Sequence, residues 1–314
     1  MTPGTTARSL LARSCWWRLA ALFITALPSP VAFAQALDVP YVPTPMNVVD
    51  AMLGIAKVGP DDFVIDLGSG DGRIVITAAR KFGARGFGVD LDGALVADAR
   101  RDAERQGVKN RVEFHTRNIF VTDIAQATVL TSYLFPQVNI QLRPRLFEEL
   151  RPGTRVVSHD FDFGNWQPDA HLRVPVPNKP YGPPMSEVYL WIVPANAAGR
   201  WQWRMPLEAA IVDCELALEQ TFQVVRGSGR IGGNAVRLEK ASLRGEELAL
   251  TLTATAGGRE LRHELAGRVS GDTIRGTVRA SGAVSSLEWN ATRVARGKIN
   301  IDAAADAPRM AGNF

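Results

Sequence analysis

Residues 63–73 read Phe-Val-Ile-Asp-Leu-Gly-Ser-Gly-Asp-Gly-Arg, a strand signal that runs directly into a glycine-rich turn. The first five residues form a short apolar run, which is typical of a buried parallel strand. A helical pattern follows over residues 73–82 and ends in a basic turn before Gly83. A strand, a glycine turn and a helix in this order predict an α/β fold whose turn approaches a ligand.

Strand and helix patterns alternate on both sides of this stretch, with short connections between them. Two further strand runs, residues 171–177 and 187–194, have no helical pattern between them and should therefore pair antiparallel. The prediction is an α/β fold with a doubly wound, seven-stranded, mostly parallel sheet. The remaining helices are expected at residues 48–57, 94–106 and 141–150, and the remaining strands at residues 85–90, 111–115, 127–133 and 154–161.

The second half of the chain consists of short strand-like runs separated by glycine-containing turns. This pattern predicts a small antiparallel β-barrel-like domain over residues 199–294, in which Trp201, Trp203 and Trp289 fill the core. Residues 194–199 are predicted to link the first domain, at residues 38–195, to this β domain. Residues 295–314 are predicted to form a loose tail. Strands are expected at residues 200–205, 214–222, 224–231, 236–241, 247–254, 259–269, 273–280 and 286–293.

Residues 1–34 have the composition of a targeting segment, with three Arg, no acidic residue and an apolar run at 19–27. The small-residue pattern Ala32-Phe33-Ala34 follows, so the interpretation is a secretory signal peptide cleaved after Ala34, and a periplasmic or secreted chain. An uncleaved N-terminal membrane anchor, which would place the protein near a membrane, and a mitochondrial transit peptide remain alternatives.

The 314 residues suggest about two domains, and a hydrophobic fraction of 46% excludes disorder over most of the chain. Removing the three Arg of residues 1–34 reduces the formal charge from +4 to +1, so the basicity does not indicate a nucleic-acid partner. Two Cys cannot build a disulfide framework, and Cys214 is expected to be a buried thiol. The four scattered His predict no metal site.

The turn after the first strand carries Gly68, Gly70 and Gly72, but Arg73 stands where the dinucleotide pattern needs its third glycine. Acidic Asp66 and Asp71 place negative charge in the turn, which disfavours a phosphate and suits a cationic ligand. S-adenosylmethionine has this character, because it joins an adenosine without phosphate to a sulfonium and an ammonium. Asp90, at the end of the next strand, can accept hydrogen bonds from ribose hydroxyls.

Residues 38–195 resemble the class I S-adenosylmethionine-dependent methyltransferases. The entry Tyr41-Val-Pro-Thr44 and the loop from Asp66 resemble more narrowly the mitochondrial lysine methyltransferases that act on the ATP synthase c-subunit and the adenine nucleotide translocase. The wider group includes the non-SET histone lysine methyltransferases. The resemblance implies a cofactor site formed by Asp66, Gly68, Ser69, Gly70, Gly72, Asp90 and Asn118.

Within this implied site, Asp66, Gly68 and Gly70 would line the methionine part of the cofactor, and Asp90 would hold the ribose. Asn118 stands where the family usually has an Asp that binds the adenine amino group. An amide oxygen accepts this hydrogen bond more weakly than a carboxylate does.

Candidate acceptor contacts are Tyr41, Tyr133, His159 and Asp160, because the last three end strands four and five, where ligands bind in such sheets. Each residue has an alternative role. Tyr133 could serve only for packing, His159 only for a structural hydrogen bond, and Tyr41 only for closure over the cofactor. The Asp/Asn-Pro-Pro-aromatic motif of base and glutamine methyltransferases is missing.

Three functions therefore stay open at the level of the sequence. The first is an enzyme that methylates a protein lysine. The second is a non-catalytic binding protein on a methyltransferase scaffold, suggested because export would separate the chain from cytosolic S-adenosylmethionine. The third is a small-molecule methyltransferase with the barrel as a lid. The oligomeric state is left open.

Overall fold

A computed structural model of the chain describes residues 41–180, 182–207, 210–256, 259–280 and 285–302. Residues 1–34, predicted to be a targeting segment, lie outside this part of the chain. No helix within the described ranges is long and apolar enough to cross a membrane.

The first half forms the predicted seven-stranded α/β sheet, with strand order β3-β2-β1-β4-β5-β7-β6. Strands β1 to β5 are parallel, and β7 pairs antiparallel with both β5 and β6, as expected for the terminal hairpin. The strands are β1 Phe63–Leu67, β2 Arg85–Asp90, β3 Val112–Thr116, β4 Val129–Ser132, β5 Arg155–His159, β6 Ala170–Pro175 and β7 Met185–Ile192. The helices are α1 Met46–Ile55, α2 Arg73–Phe82, α3 Gly93–Arg105 and α4 Pro136–Glu149.

The chain reverses its direction of winding between β1 and β4, which are neighbours in the sheet although they are distant in sequence. Their carboxyl ends therefore form a crevice, the place where open α/β sheets bind ligands. Strand β1 ends at this crevice, and its residues Val64 to Leu67 are all buried. The glycine turn after β1 consequently lies at the centre of the sheet edge.

Helix α4 begins five residues earlier than the periodicity predicts, at Pro136 rather than at residue 141. Proline is well suited to the first turn of a helix, because its fixed φ is helical and its missing N–H would have no partner there. Pro144 lies inside the same helix. The earlier start brings Phe135, the residue that precedes α4, close to the end of β4.

The second half forms the predicted barrel of eight antiparallel strands, closed by the pairing of β9 with β10. Trp201, Trp203 and Trp289 are buried in its core, as predicted. The guanidinium of Arg293 lies 4.2 Å from the centre of the Trp201 ring at one end of the barrel. The strands are β8 Gly199–Leu207, β9 Ala210–Thr221, β10 Val224–Ile231, β11 Asn234–Arg244, β12 Glu247–Ala256, β13 Arg259–Ser270, β14 Thr273–Ala280 and β15 Leu287–Arg296.

Residues 194–199, predicted as a linker, are mostly buried. The Gln220 side chain accepts a hydrogen bond from the Ala197 N–H at 2.7 Å and donates one to the Ala195 carbonyl at 3.0 Å. The Ala195 N–H donates to the Gly245 carbonyl at 2.7 Å. Small residues at these positions let the backbone run through the interior, so the two halves are joined by a fixed segment.

The prediction of a loose tail from residue 295 is wrong for its first part. Strand β15 continues to Arg296, and β16 Ile299–Asn300 pairs parallel with β9 opposite Gln220 and Thr221. Strand β8 begins at Gly199 opposite Leu218, which leaves this end of β9 open for β16. Strand β16 thus depends on the free edge of β9 rather than on local periodicity. Residues 303–314 lie outside the described part of the chain.

Phe222, in the turn between β9 and β10, packs into the core of the first half of the chain. Its ring stacks on Trp166 at 6.4 Å between centroids and lies 5.9 Å from Phe147. The Arg143 guanidinium lies 5.1 Å from the same ring. Phe222 has a φ of 51°, an uncommon value for a bulky side chain, which these contacts must stabilise.

We expect Phe222→Ala to lower the free energy of unfolding by about 3 kcal/mol, because it leaves a cavity among aromatic rings. Urea denaturation followed by tryptophan fluorescence measures this change. Val224→Ala is the matched control, since Val224 is 49% exposed in the next strand and its truncation should change stability by less than about 0.5 kcal/mol. Equal effects of the two substitutions would contradict the role of Phe222.

Candidate functional site

The glycine turn is held against the neighbouring strand by its own backbone. The N–H groups of Gly68 and Ser69 both donate to the Val89 carbonyl at 2.9 Å. Gly70 and Gly72 have φ values of 51° and 77°, in the left-handed region that favours glycine. A Cβ at Gly70 would lie 2.5 Å from the Tyr41 ring, and one at Gly72 would lie 2.6 Å from another aromatic ring. The turn is therefore restricted to glycine by both conformation and space.

Asp90 is tied to this turn through its carboxylate. One oxygen accepts from the Gly70 N–H and the other from the Asp92 N–H, both at 2.9 Å. The carboxylate consequently stands beside the turn at the end of β2, where the sequence predicts a ribose contact. Its placement agrees with the prediction, while the ribose contact itself stays a prediction.

Asp66 is a buried carboxyl group beneath the turn, 2% exposed. It accepts a hydrogen bond from the Thr131 hydroxyl at 2.7 Å. Burial, with the charges of Asp90 and Asp71, raises the pKa of Asp66 to about 7 against the opposing effect of Thr131. The Ser69 and Ser132 hydroxyls are also buried, and each lacks a hydrogen-bond partner among the described residues. A cation bound here would stabilise the ionised carboxylate.

The N-terminal segment connects the turn to the end of β5. The Tyr41 ring packs on Gly70, and its hydroxyl is close enough to Asp71 to feel the charge of that carboxylate. Burial, followed by the charge of Asp71, raises the pKa of Tyr41. Arg73 donates to both oxygens of Asp71 and, at 2.8 Å, to the Thr44 carbonyl. The Arg that breaks the dinucleotide pattern thus fastens this segment to the turn.

His159 ends β5 and is buried, with both ring nitrogens engaged. Nδ1 lies 3.2 Å from the Thr44 hydroxyl, and Nε2 lies 2.8 Å from the Ser186 hydroxyl. Burial lowers the pKa of His159 to about 4, with Asp160 opposing this shift and Lys179 adding to it. His159 is therefore neutral at pH 7, and its 3.4 Å approach to Asp160 is not an ion pair.

Tyr133 and Asp160 meet at the same edge of the sheet. The Tyr133 hydroxyl donates to Asp160 Oδ2 at 3.3 Å, and the ring lies 3.9 Å from that of His159. Burial and the Asp160 charge raise the pKa of Tyr133 to about 12, so the phenol stays protonated. Asp160 has a φ of 60°, stabilised by its N–H to the Glu187 carbonyl and by the Glu187 N–H to its Oδ1. Backbone strain of this kind is typical of functional sites.

The structure thus places Tyr133, His159 and Asp160 in mutual contact and links Tyr41 to them through Thr44. Asn118 follows β3 and begins a short 3-10 turn, in which its side-chain oxygen accepts from the Phe120 N–H at 2.8 Å. Its adenine contact stays a prediction. Among the residues that the structure describes, no group of three or more His, Cys, Asp or Glu could hold a metal ion.

Four contributors to this edge were not identified from the sequence: Thr44, Thr131, Lys179 and Ser186. Ser186 lies on the antiparallel strand β7, and Lys179 lies in a connector without periodicity. Their roles depend on the pairing of β7 with β5, which local patterns do not show. Thr131, in contrast, pairs with Asp66 across β1 and β4, so the predicted strands could have located it.

Comparisons with known proteins agree with this geometry. Residues 66–170 match the ANTKMT methyltransferase domain. A protein-lysine N-methyltransferase of Saccharolobus islandicus is 45% identical over 156 residues, which cover 49% of this chain and 94% of that protein. The ATP synthase c-subunit lysine N-methyltransferase of Xenopus laevis is 34% identical over 151 residues, 48% of this chain and 66% of that protein.

A solved structure is also similar: an RNA methyltransferase from Salinibacter ruber in complex with S-adenosyl-L-homocysteine. It is 52% identical, with a TM-score of 0.44 over 48% of this chain and 93% of that one. The fold, the site and the sequence matches make this protein an S-adenosylmethionine-dependent methyltransferase. It belongs to the same methyltransferase family as the Saccharolobus protein, which it matches over nearly the full length of that protein.

The residues beneath the turn fit S-adenosylmethionine. The cofactor is cationic, and the buried Asp66 carboxyl would gain a counter-charge from it. Within the described ranges, the Ser69 and Ser132 hydroxyls have no hydrogen-bond partner, so they can serve its polar groups. Gly70 and Gly72 let two aromatic rings pack directly on the turn, and Asp90 stands beside it.

We expect S-adenosylmethionine to bind more tightly as the pH rises towards about 7 and to reach a plateau above it. Asp66 has a raised pKa, so below that pH a proton must leave before the carboxylate can pair with the cation. The affinity should fall by up to about tenfold for each pH unit below 7. Calorimetry with Asp66→Asn as control measures this effect. An equal pH slope in wild type and variant would contradict it.

Proposed function

We propose that the protein transfers a methyl group from S-adenosylmethionine to a lysine side chain of another protein. The observation that carries this proposal is the junction of Asp160 with Tyr133 at the carboxyl end of β5, linked to the glycine turn through Tyr41 and Thr44. The names of the Saccharolobus and Xenopus relatives, both lysine N-methyltransferases, support it.

The acceptor side of the junction has aromatic walls. The Tyr133 and Phe161 rings stack at 6.0 Å between centroids, and Phe135 lies 5.8 Å from Phe161. Phe135 is 39% exposed, so this aromatic group reaches the surface where an acceptor would enter. Aromatic side chains pack on the apolar stem of a lysine and remove water from its amine, and loss of water lowers the pKa of the amine.

The chemistry assigned to the chain is binding, alignment and exclusion of water. S-adenosylmethionine supplies an electrophilic methyl group, so the acceptor amine needs only to be unprotonated and in line. Tyr133, with a pKa near 12, acts as a neutral hydrogen-bonding phenol rather than as a base. His159 is neutral, but both its nitrogens are occupied, so we assign it the task of holding the strand end.

We expect the full chain to transfer labelled methyl groups to the protein fraction of an extract of the source cell, and acid hydrolysis to release methyl-lysine. Asp66→Ala is the control and should lose at least about tenfold in rate, because it removes the charged partner of the cofactor. The RNA and low-molecular-weight fractions are assayed in parallel. Label confined to either of them would contradict a lysine acceptor, and binding without any transfer would favour a non-catalytic protein.

Residues 1–34 are proposed to direct export, supported by their basic start, apolar run and Ala32-Phe33-Ala34 pattern. We expect residues 1–40, fused to a reporter enzyme that folds only in an oxidising compartment, to give reporter activity and a product shortened at Ala34. A fusion of residues 35–40 is the control. An active but uncleaved fusion would favour the membrane anchor, and an inactive one would contradict export.

A further inference from the structure

Lys179, in the loop between β6 and β7, places its ammonium on the acceptor side of the site. Its Nζ lies 2.6 Å from Asp160 Oδ2 and donates to the Met185 carbonyl at 2.8 Å. The side chains of Lys179 and Asp160 are each only 11% exposed. The Lys179 N–H donates to the Val176 carbonyl at 3.1 Å, which forms a turn in the loop. The ion pair is thus sheltered from solvent and held from both sides.

The groups around Asp160 come from several elements. Tyr133, directly after β4, and His159, at the end of β5, are both uncharged at neutral pH. From β7, Glu187 offers its backbone N–H to Asp160, while its carboxylate pairs with His171 and Arg173 on β6.

Two further titratable groups lie near this junction, Tyr189 on β7 and Asp162. Burial raises the pKa of Tyr189 to about 12, and the charges of Glu187, Asp162 and Asp160 add to the shift. Tyr189 is therefore neutral as well. Within the described part of the chain, Lys179 is the only Lys or Arg side chain paired with Asp160.

The charge of Asp160 matters for an amine acceptor. A carboxylate within about 4–6 Å of an amine stabilises the ammonium form and raises its pKa by about 1–3 units. In a partly buried site this effect is larger than in water. An ammonium has no lone pair for methyl transfer, so an unpaired Asp160 beside the acceptor would hold it in the unreactive form.

We propose that Lys179 is a positioning residue that neutralises Asp160, so that the acceptor amine remains unprotonated beside Tyr133. Asp160 can then orient the Tyr133 hydroxyl and the strand end without acting as a counter-ion for the acceptor. This inference rests on the proposed function, because it requires an amine acceptor at this edge. It assigns Lys179 an electrostatic task that a purely structural ion pair would not have.

The test is the pH dependence of single-turnover methyl transfer by the full chain, with poly-L-lysine at saturating concentration as the acceptor. Lys179→Gln should move the acid limb of the profile upward by about one pH unit or more, because Asp160 is then unpaired. Lys179→Arg keeps the charge and should leave the limb at the wild-type position. Lys81→Gln is the matched control, because it removes the exposed Lys81–Asp50 pair and should have no effect.

The double variant Asp160→Asn/Lys179→Gln removes both charges and should return the acid limb to near the wild-type position. It also measures whether the chain folds without the ion pair, so a folding defect of Lys179→Gln alone can be recognised. An acid limb that is unchanged in Lys179→Gln, or still displaced in the double variant, would overturn the proposal.

A second readout does not depend on catalysis. Acetylation of lysine amines, mapped by mass spectrometry, should modify Lys179 at least roughly tenfold more slowly than Lys81 in the wild type, and faster in Asp160→Asn. Equal reactivity of the two lysines would overturn the contact on which the inference rests. Methyl-lysine at position 179 itself would also overturn it, because Lys179 would then be an acceptor. Failure of the wild type to form methyl-lysine on poly-L-lysine or extract protein counts against the proposed function alone.

Discussion

A carboxyl group buried beneath a glycine turn is the interaction on which this site depends. Asp66 lies at the point where the sheet changes its direction of winding. It accepts a hydrogen bond from Thr131 on the adjacent strand. Its burial makes the charged form costly, and a cationic ligand relieves that cost. The same turn is restrained by hydrogen bonds to the Val89 carbonyl and to Asp90. The Asp66 carboxyl group beneath it is therefore held in place.

The rest of the molecule holds the acceptor side at a fixed distance from this turn. Arg73 fastens the N-terminal segment to the turn, and Thr44 carries the connection to His159. From the other side, Phe222 of the barrel packs on Trp166, in the loop that follows Asp160. The barrel therefore packs on the segment that follows Asp160, and the buried segment at residues 194–199 connects the two halves.

Much of this architecture follows from local patterns. The strand Phe63–Leu67, the helix Arg73–Phe82 and the glycine turn between them are each determined by short-range periodicity and turn chemistry, and all three were predicted correctly. The turn-separated strand runs, together with the tendency of large aromatic residues to fill small barrels, likewise predicted a core filled by Trp201, Trp203 and Trp289.

What escaped prediction depends on contacts between distant parts of the chain. The fixed segment around Ala197 requires Gln220, and β16 requires the open end of β9. The pairing of Lys179 with Asp160 requires the β6–β7 loop to fold back over the end of β5. None of these features has a local period or motif, because each is created by the closure of the sheet or the barrel.

Hydrogen exchange with and without S-adenosylmethionine tests the account most directly, because it locates the cofactor without assuming an acceptor. The account predicts increased protection of backbone amides in residues 41–45, 66–73 and 90–93, with little change in the barrel. Protection confined to the barrel strands, or no protection at the glycine turn, would contradict the assignment of the site.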